Sequence, residues 1–128
     1  MNKTILIIDD DVDYLFQLKL LVEKLGFNVI TANSQKEGEQ TLEKTKPDLV
    51  ICDLMMENRD SGFILCYKIK KKYPDVPVIL ATAVTAETGM MFELNTAEEQ
   101  SWIKADAYLT KGIRPDQLHR EITKLLNL

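Results

Sequence analysis

Four short apolar runs in this chain are each followed by residues that could handle a phosphoryl group or a metal ion. The runs cover residues 5–8, 49–52, 78–81 and 107–110, and the residues that follow them are Asp9 with Asp10, Asp53, Thr82 and Lys111. Carboxylates are hard oxygen ligands that suit Mg²⁺, and an aspartate can attack phosphorus to form an acyl phosphate. A lysine and a hydroxyl could stabilise the transferring oxygens. These residue types therefore predict a site for a divalent cation and a phosphoryl group.

The apolar runs also predict the elements that position these side chains. Uninterrupted runs of this length, separated by helix-like segments, are typical of strands buried on both faces of a parallel sheet. The predicted strands are Thr4–Ile8, Phe27–Thr31, Pro47–Asp53, Val76–Ala81 and a last strand around Tyr108. The predicted helices are Val12–Leu25, a helix capped by Ser34 and Glu37, Phe63–Lys72, a helix from near Thr96, and Pro115 to about Leu126.

This alternation of strands and helices predicts an α/β fold with five strand–helix units. Right-handed crossovers place the helices on both faces of the sheet. The strand order 2-1-3-4-5 puts the first and third strands side by side at the switch point, where Asp9, Asp10 and Asp53 would meet. With 128 residues, the chain is expected to form one domain, residues 1–128, without disulfides or structural metal.

Composition excludes several classes of partner. The net charge of −4 argues against direct attraction to nucleic acid or to an anionic membrane, and no apolar run approaches the length of a membrane span. The start of the chain, Met1 to Thr4, leads directly into a strand and predicts no signal peptide. Cys52 and Cys66 are expected to be reduced residues of the core. A cytoplasmic protein is the consistent prediction.

The chain resembles the receiver domains of two-component response regulators, in a divergent, stand-alone subgroup. The resemblance lies in four segments in the family's order: the acidic segment 5–11, the phosphoacceptor segment 47–56, the switch-threonine segment 76–83 and the lysine segment 111–118. It implies a flavodoxin-like, doubly wound (βα)5 sheet. It also implies a phosphoprotein that signals through protein–protein contacts and assists only its own phosphorylation and dephosphorylation.

The resemblance also implies a role for each site residue. Asp53 would be the phosphorylated aspartate, and Mg²⁺ would be bound by Asp9, Asp10, Asp53 and the backbone carbonyl of Met55. Thr82 and Lys111 would contact the phosphoryl oxygens, and Tyr108 falls on the aromatic switch position. A histidine kinase or phosphotransfer protein would supply the phosphoryl group to a monomer or weak dimer, and an unknown protein would read the result.

Three departures from the family pattern concern the loops around the site. Glu57 replaces the usual proline after the phosphoacceptor strand, and Gly62 comes one residue late, so we expect a longer loop over Met56–Ser61. Gly112 replaces the proline after Lys111, which predicts a trans peptide bond or a flexible stretch. The interval between Thr82 and Lys111 is also several residues longer than usual.

Other interpretations of these residues remain open from the sequence. Asp10, Asp11 and Asp13 could simply cap the first helix, and the chain could be a phosphorylation-independent interaction module with receiver architecture. A Mg²⁺-dependent aspartyl phosphohydrolase is a more remote alternative. The segment from Asp9 to Val12 superficially resembles the acidic motif of haloacid-dehalogenase-like enzymes, although there is no room for their cap domain. The lysines at positions 68 and 70–72 are expected to form a solvated helix face.

Overall fold

The fold is seen in a computed structural model that describes residues 3–54, 56, 61–82 and 105–128. These residues form five strands, β1 (Thr4–Ile8), β2 (Asn28–Ala32), β3 (Leu49–Asp53), β4 (Val78–Thr82) and β5 (Ala107–Thr110). They also form four helices, α1 (Val12–Lys24), α2 (Gln35–Lys44), α3 (Ser61–Lys72) and α4 (Pro115–Leu126). The helix predicted from near Thr96 and the loop predicted before it lie outside the described residues.

The strands form one parallel sheet in the order β2-β1-β3-β4-β5, which confirms the predicted topology. The register pairs Ile8 with Cys52, so that Asp9 and Asp53 are the next residues of the two neighbouring strands. Thr82 pairs with Thr110, the residue before Lys111. The carboxyl ends of β1, β3, β4 and β5 therefore meet at one edge, where ligands bind in open α/β sheets.

The core consists of two apolar layers, one on each face of the sheet. Alternate residues of β1 enter opposite layers, because successive side chains of a strand point to opposite faces. Ile5 and Ile7 pack with α1 and α4 in one layer, and Leu6 and Ile8 pack with α2 and α3 in the other. Full burial of a leucine or isoleucine side chain contributes roughly 1.5–3 kcal/mol. This packing holds the strand ends at a common edge.

Most predicted element boundaries differ from the structure by one or two residues, as expected where helices fray and strands end. The predicted cap of α2 is confirmed: the Glu37 amide donates to Ser34 Oγ at 3.0 Å. The Glu37 side chain differs from the prediction: it accepts a hydrogen bond from the amide of Asn33, the residue before the N-cap, at 3.1 Å, whereas in a capping box it would accept from the Ser34 amide. The core assignment of Cys52 and Cys66 is also confirmed, since both are buried free cysteines.

The prediction that Lys70 belongs to a solvated face is wrong. Its ammonium lies 2.7 Å from Asp106 Oδ2 and donates to the Val76 carbonyl at 2.8 Å, and its side chain is only 13% exposed. Asp106 also accepts a hydrogen bond from the Val78 amide at 2.8 Å. These contacts tie the C-terminal end of α3 to the starts of β4 and β5. Helical spacing could not predict them, because the partner lies far away in sequence.

No helix among the described residues combines the length and hydrophobicity needed to cross a membrane.

Candidate functional site

Three aspartates meet at the carboxyl edge of β1 and β3, as the strand order predicts. Asp9 and Asp53 are 2% and 5% exposed, whereas Asp10 is exposed to solvent. One carboxylate oxygen from each of the three lies within 4.8 Å of the others. Asp9 Oδ1 also accepts a hydrogen bond from the Asp11 amide at 2.9 Å, which holds the acidic segment in a tight turn. The arrangement concentrates negative charge at a partly buried point.

Lys111 reaches into this acidic cluster from the end of β5. Its Nζ lies 2.8 Å from Asp9 Oδ2 and 3.4 Å from Asp53 Oδ1. The Lys111 amide donates to the Thr82 carbonyl at 2.7 Å, which extends the β4–β5 ladder by one residue. The described residues contain no cis peptide bond, so the bond to Gly112 is trans, as predicted, and Gly112 has a φ of +93°. Lys111 therefore reaches the aspartates although the residue after it is glycine and not proline.

Two of the remaining predicted site residues lie on β4 and β5. Thr82 is buried at the end of β4, one residue beyond the partner of Asp53 in the ladder. Tyr108 pairs with Leu80 further back along the sheet and is 36% exposed. Burial, and then the nearby Cys66, raise the pKa of Tyr108 to about 12. The Met55 carbonyl lies outside the described residues.

Gly62 allows α3 to approach the backbone that follows Asp53. Its amide donates to the Leu54 carbonyl at 2.8 Å. A Cβ at this position would lie 2.5 Å from the Asp53 carbonyl oxygen and 2.6 Å from the Leu54 Cα. The Leu54 amide in turn donates to the Ala81 carbonyl at 2.8 Å. The absence of a side chain at Gly62 therefore lets α3 pack closely against the end of β3.

One residue of the site, Tyr14, was missed by the sequence analysis. Its ring lies under the Lys111 ammonium, with Nζ 4.8 Å from the ring centroid. Tyr14 occupies the first turn of α1, where its amide donates to the side chain of the N-cap residue Asp11 at 3.2 Å. An aromatic residue shortly after the acidic segment was the only signal in the sequence, and its partner is nearly a hundred positions away.

Burial and like charge dominate the electrostatics of Asp53. Burial, reinforced by the negative charge of Asp9, raises the pKa of Asp53 from 3.8 to about 7, although Lys111 acts in the opposite direction. For Lys111, burial alone would lower the pKa, but the hydrogen bond and charge of Asp9 and the charge of Asp53 outweigh it and raise the pKa. The site therefore keeps its ammonium charged while one carboxylate resists ionisation. A second cation would relieve this excess of negative charge.

The sequence of the chain matches a model of the family described as the response regulator receiver domain over residues 5–123. The chain belongs to the response regulator receiver domain family. Receiver domains are signalling domains rather than enzymes in the usual sense, and they act in two-component systems through histidine kinases or downstream proteins. The phosphohydrolase alternative is therefore not supported.

Curated relatives of this receiver domain are longer regulatory proteins. It is 29% identical over 126 residues to the alkaline phosphatase synthesis transcriptional regulatory protein PhoP of Bacillus subtilis, and this match covers 98% of this chain and 49% of PhoP. It is 36% identical over 122 residues to the transcriptional regulatory protein GlrR of Escherichia coli, and this match covers 95% of this chain and 26% of GlrR. The chain thus spans half or less of the length of these relatives.

Solved receiver structures share the fold along nearly the whole chain. A CheY-like receiver domain protein from Methanospirillum hungatei is 29% identical with a TM-score of 0.81, and the match covers 99% of this chain and 95% of the other. The response regulator TrrA from Thermotoga maritima, solved in complex with Mg²⁺-BeF, is 28% identical with a TM-score of 0.78. That match covers 96% of this receiver domain and 98% of TrrA.

The donor atoms of this receiver domain fit a magnesium ion. Receiver domains typically bind Mg²⁺ through acidic residues. Mg²⁺ takes oxygen ligands at about 2.0–2.1 Å in octahedral geometry and usually keeps several waters. Oxygens of Asp9, Asp10 and Asp53 lie within 4.8 Å of one another, and carboxylate oxygens are the ligand type that Mg²⁺ prefers. The exposed Asp10 leaves a route for solvent ligands.

Proposed function

We propose that Asp53 of this receiver domain accepts a phosphoryl group in a reaction that depends on Mg²⁺. The observation that carries the proposal is the placement of a buried carboxylate at a strand end, beside an ammonium 3.4 Å away and two further carboxylates. A simple ion pair between Lys111 and one carboxylate would not require a cluster of three aspartates. An acceptor for a phosphoryl group needs a nucleophile together with groups that neutralise the incoming charge.

The proposed reaction moves one phosphoryl group. A carboxylate oxygen of Asp53 attacks the phosphorus of a phosphohistidine, forming an O–P bond as the N–P bond breaks. The electron pair of the N–P bond stays on the imidazole, which takes up a proton. In this proposal Lys111 turns from Asp53 toward the phosphoryl oxygens, and the Thr82 hydroxyl donates a hydrogen bond to them.

Mg²⁺ would be held by Asp9, Asp10, Asp53 and the Met55 carbonyl. When bound, it would neutralise charge on the carboxylates and on the transferred oxygens. Each oxygen of Asp9 already has a partner in the protein: Oδ1 accepts a hydrogen bond from the Asp11 amide, and Oδ2 lies 2.8 Å from Lys111 Nζ. Asp9 would therefore bind the ion while keeping contacts with these groups. The same charge would lower the pKa of Asp53 and favour the ionised nucleophile at neutral pH.

The donor in this proposal is a histidine kinase or a phosphotransfer protein, and the output is a contact with a downstream protein. Phosphorylation adds up to two negative charges and strong acceptor oxygens to the edge of the sheet. Tyr108 is the proposed aromatic switch, at the exposed surface of β5. We further propose one cytoplasmic receiver domain, a monomer or weak dimer, that binds neither nucleic acid nor membrane directly.

The test is phosphorylation by acetyl phosphate with and without Mg²⁺, read by intact-mass spectrometry. The proteins are the wild type, Asp53→Asn and the matched control Asp75→Asn, which removes an exposed carboxylate outside the site. We expect a Mg²⁺-dependent phosphate adduct in the wild type and the control and none in Asp53→Asn. Asp10→Asn should raise the Mg²⁺ concentration required.

Two results would contradict the proposal in different ways. A folded wild type that binds Mg²⁺ but gains no phosphate would favour the phosphorylation-independent interaction module. An adduct that persists in Asp53→Asn would place the phosphoryl group on another residue. Peptide mapping of the adduct identifies the residue that carries the phosphoryl group, and also verifies that Asn is present at position 53.

A further inference from the structure

Tyr14 and Lys111 are linked to each other and to the acidic segment by a continuous series of contacts. Asp9 Oδ1 accepts a hydrogen bond from the Asp11 amide at 2.9 Å, and Asp11 Oδ1 accepts one from the Tyr14 amide at 3.2 Å. The Tyr14 ring faces Lys111 Nζ at 4.8 Å, and that ammonium returns to Asp9 Oδ2 at 2.8 Å. The ring is thus placed by the same turn that places Asp9.

We propose that Tyr14 is a positioning residue that holds the Lys111 ammonium over its ring when the carboxylates are occupied by a cation. The proposal rests on the proposed function, because it concerns the state in which Lys111 serves the phosphoryl group. Among the described residues, Lys111 has two carboxylate partners in the metal-free site, Asp9 and Asp53. A cation bound by these two aspartates would weaken both ion pairs, and the Tyr14 ring face is the further described contact of the ammonium.

Lys111 needs such a support in this chain. The residue after it is Gly112, which adopts a φ of +93°, and in the described part of the chain no atom beyond its two chain neighbours lies within 4 Å of its ideal Cβ position. The backbone beside Lys111 therefore receives no support from a side chain at that position. Four rotatable bonds separate the ammonium from this backbone. The lysine side chain is only 18% exposed, and a cation over an aromatic face is held more strongly where water is excluded.

The ring is also in a suitable chemical state. Burial raises the pKa of Tyr14 from 10.0, although Lys111 acts in the opposite direction. The phenol therefore stays neutral at physiological pH and presents its ring to the ammonium. Because the contact uses the ring face, phenylalanine should replace tyrosine and an aliphatic residue should not.

The test compares phosphorylation rates of variants of the 128-residue chain with acetyl phosphate and saturating Mg²⁺. Tyr14→Leu keeps an apolar side chain but removes the ring, Tyr14→Phe keeps the ring, and Phe16→Leu removes a 58% exposed aromatic residue of the same helix as a matched control. We expect Tyr14→Leu to react about three- to tenfold more slowly, with the other two within about twofold of the wild type. In a Lys111→Met background, Tyr14→Leu should have no further effect.

A purely structural role for Tyr14 would give a different pattern. Equal slowing by Tyr14→Phe and Tyr14→Leu, or the same slowing by Tyr14→Leu in the Lys111→Met background, would overturn the proposal. Thermal unfolding of the same variants with Mg²⁺ provides a readout that does not require phosphorylation. Non-additive shifts for Tyr14→Leu and Lys111→Met support the contact, and additive shifts overturn it, even if the wild type accepts no phosphate.

Discussion

The carboxyl group of Asp53 should make the metal-free protein less stable as the pH rises. Its pKa is 3.8 in an unperturbed chain and about 7 in the folded protein, because burial and Asp9 disfavour the charged form. Between these values the folded protein holds a proton on Asp53 that the unfolded chain has lost. Stability from this group is therefore fully present below about pH 4 and is lost as the pH rises through about 7.

The size of the effect follows from the difference between the two pKa values. About three pH units at about 1.4 kcal/mol each give at most about 4 kcal/mol. Asp53→Asn imitates the neutral form and removes this dependence. We expect the variant and the wild type to be similarly stable near pH 4, and the variant to be more stable by up to about 4 kcal/mol at pH 8.

The assay is urea unfolding followed by circular dichroism at several pH values between 4 and 8, with a chelator present. Subtracting the wild-type curve from that of Asp53→Asn removes the contribution of the carboxylates that do not interact with Asp53. Lys111 does not interfere, because its pKa is raised from 10.5 and it stays charged throughout this range. Asp75→Asn, at a surface ion pair, serves as the control.

A difference that does not change with pH would refute the electrostatic reasoning, and so would a wild type that is more stable than Asp53→Asn at pH 8. Added Mg²⁺ supplies a second comparison. It should stabilise the wild type more at pH 8 than at pH 5, because the ion binds the ionised carboxylate. Equal stabilisation of Asp53→Asn would argue against Asp53 as a ligand.

Further predictions concern the elements that hold the site in place. Gly62→Ala should lower the free energy of unfolding by about 1–3 kcal/mol or more and slow phosphorylation, because its Cβ would meet backbone atoms at 2.5–2.8 Å. Gly38→Ala is the matched control and should cost less, because its Cβ meets only the end of a side chain at 2.8 Å. Lys70→Met should destabilise the protein by about 1 kcal/mol, since it removes the ion pair with Asp106 and the hydrogen bond to the Val76 carbonyl. An equal effect of Lys70→Met in an Asp106→Asn background would show that the ion pair contributes nothing. Ser34→Ala should cost about 1 kcal/mol through loss of the helix cap, which chemical denaturation would measure, and no loss would show that the cap contributes nothing.

The site was predictable to the extent that its residues stand at strand ends. An apolar run followed by Asp53 or Lys111 is a local pattern, and the parallel topology converts each such position into a place on one edge of the sheet. The capping role of Ser34 was predictable for the same reason, since the partner Glu37 is three residues away. Asp11 was considered as one of several possible caps, and the structure shows that its side chain caps α1.

Contacts between distant residues were decided by the tertiary structure alone. The prediction that the lysines of α3 form a solvated face was wrong for Lys70, because Asp106 lies beside Lys70 only when β5 joins the sheet. Gly62 was noticed as a displaced loop glycine, but only packing shows that it lies against the Asp53 backbone. The position of Tyr14 shortly after the acidic segment did not reveal that its ring lies under Lys111, because the two residues are nearly a hundred positions apart.

The sequence by itself thus determined the order of the strands, the caps and the identity of the residues at the sheet edge, because these depend on local periodicity and on topological rules. Tertiary structure decided the pKa of Asp53 and the support of Lys111. Both depend on burial and on distances of a few ångströms between segments that are far apart in the chain. Electrostatic interactions change strongly over such distances, and no pattern along the chain specifies them.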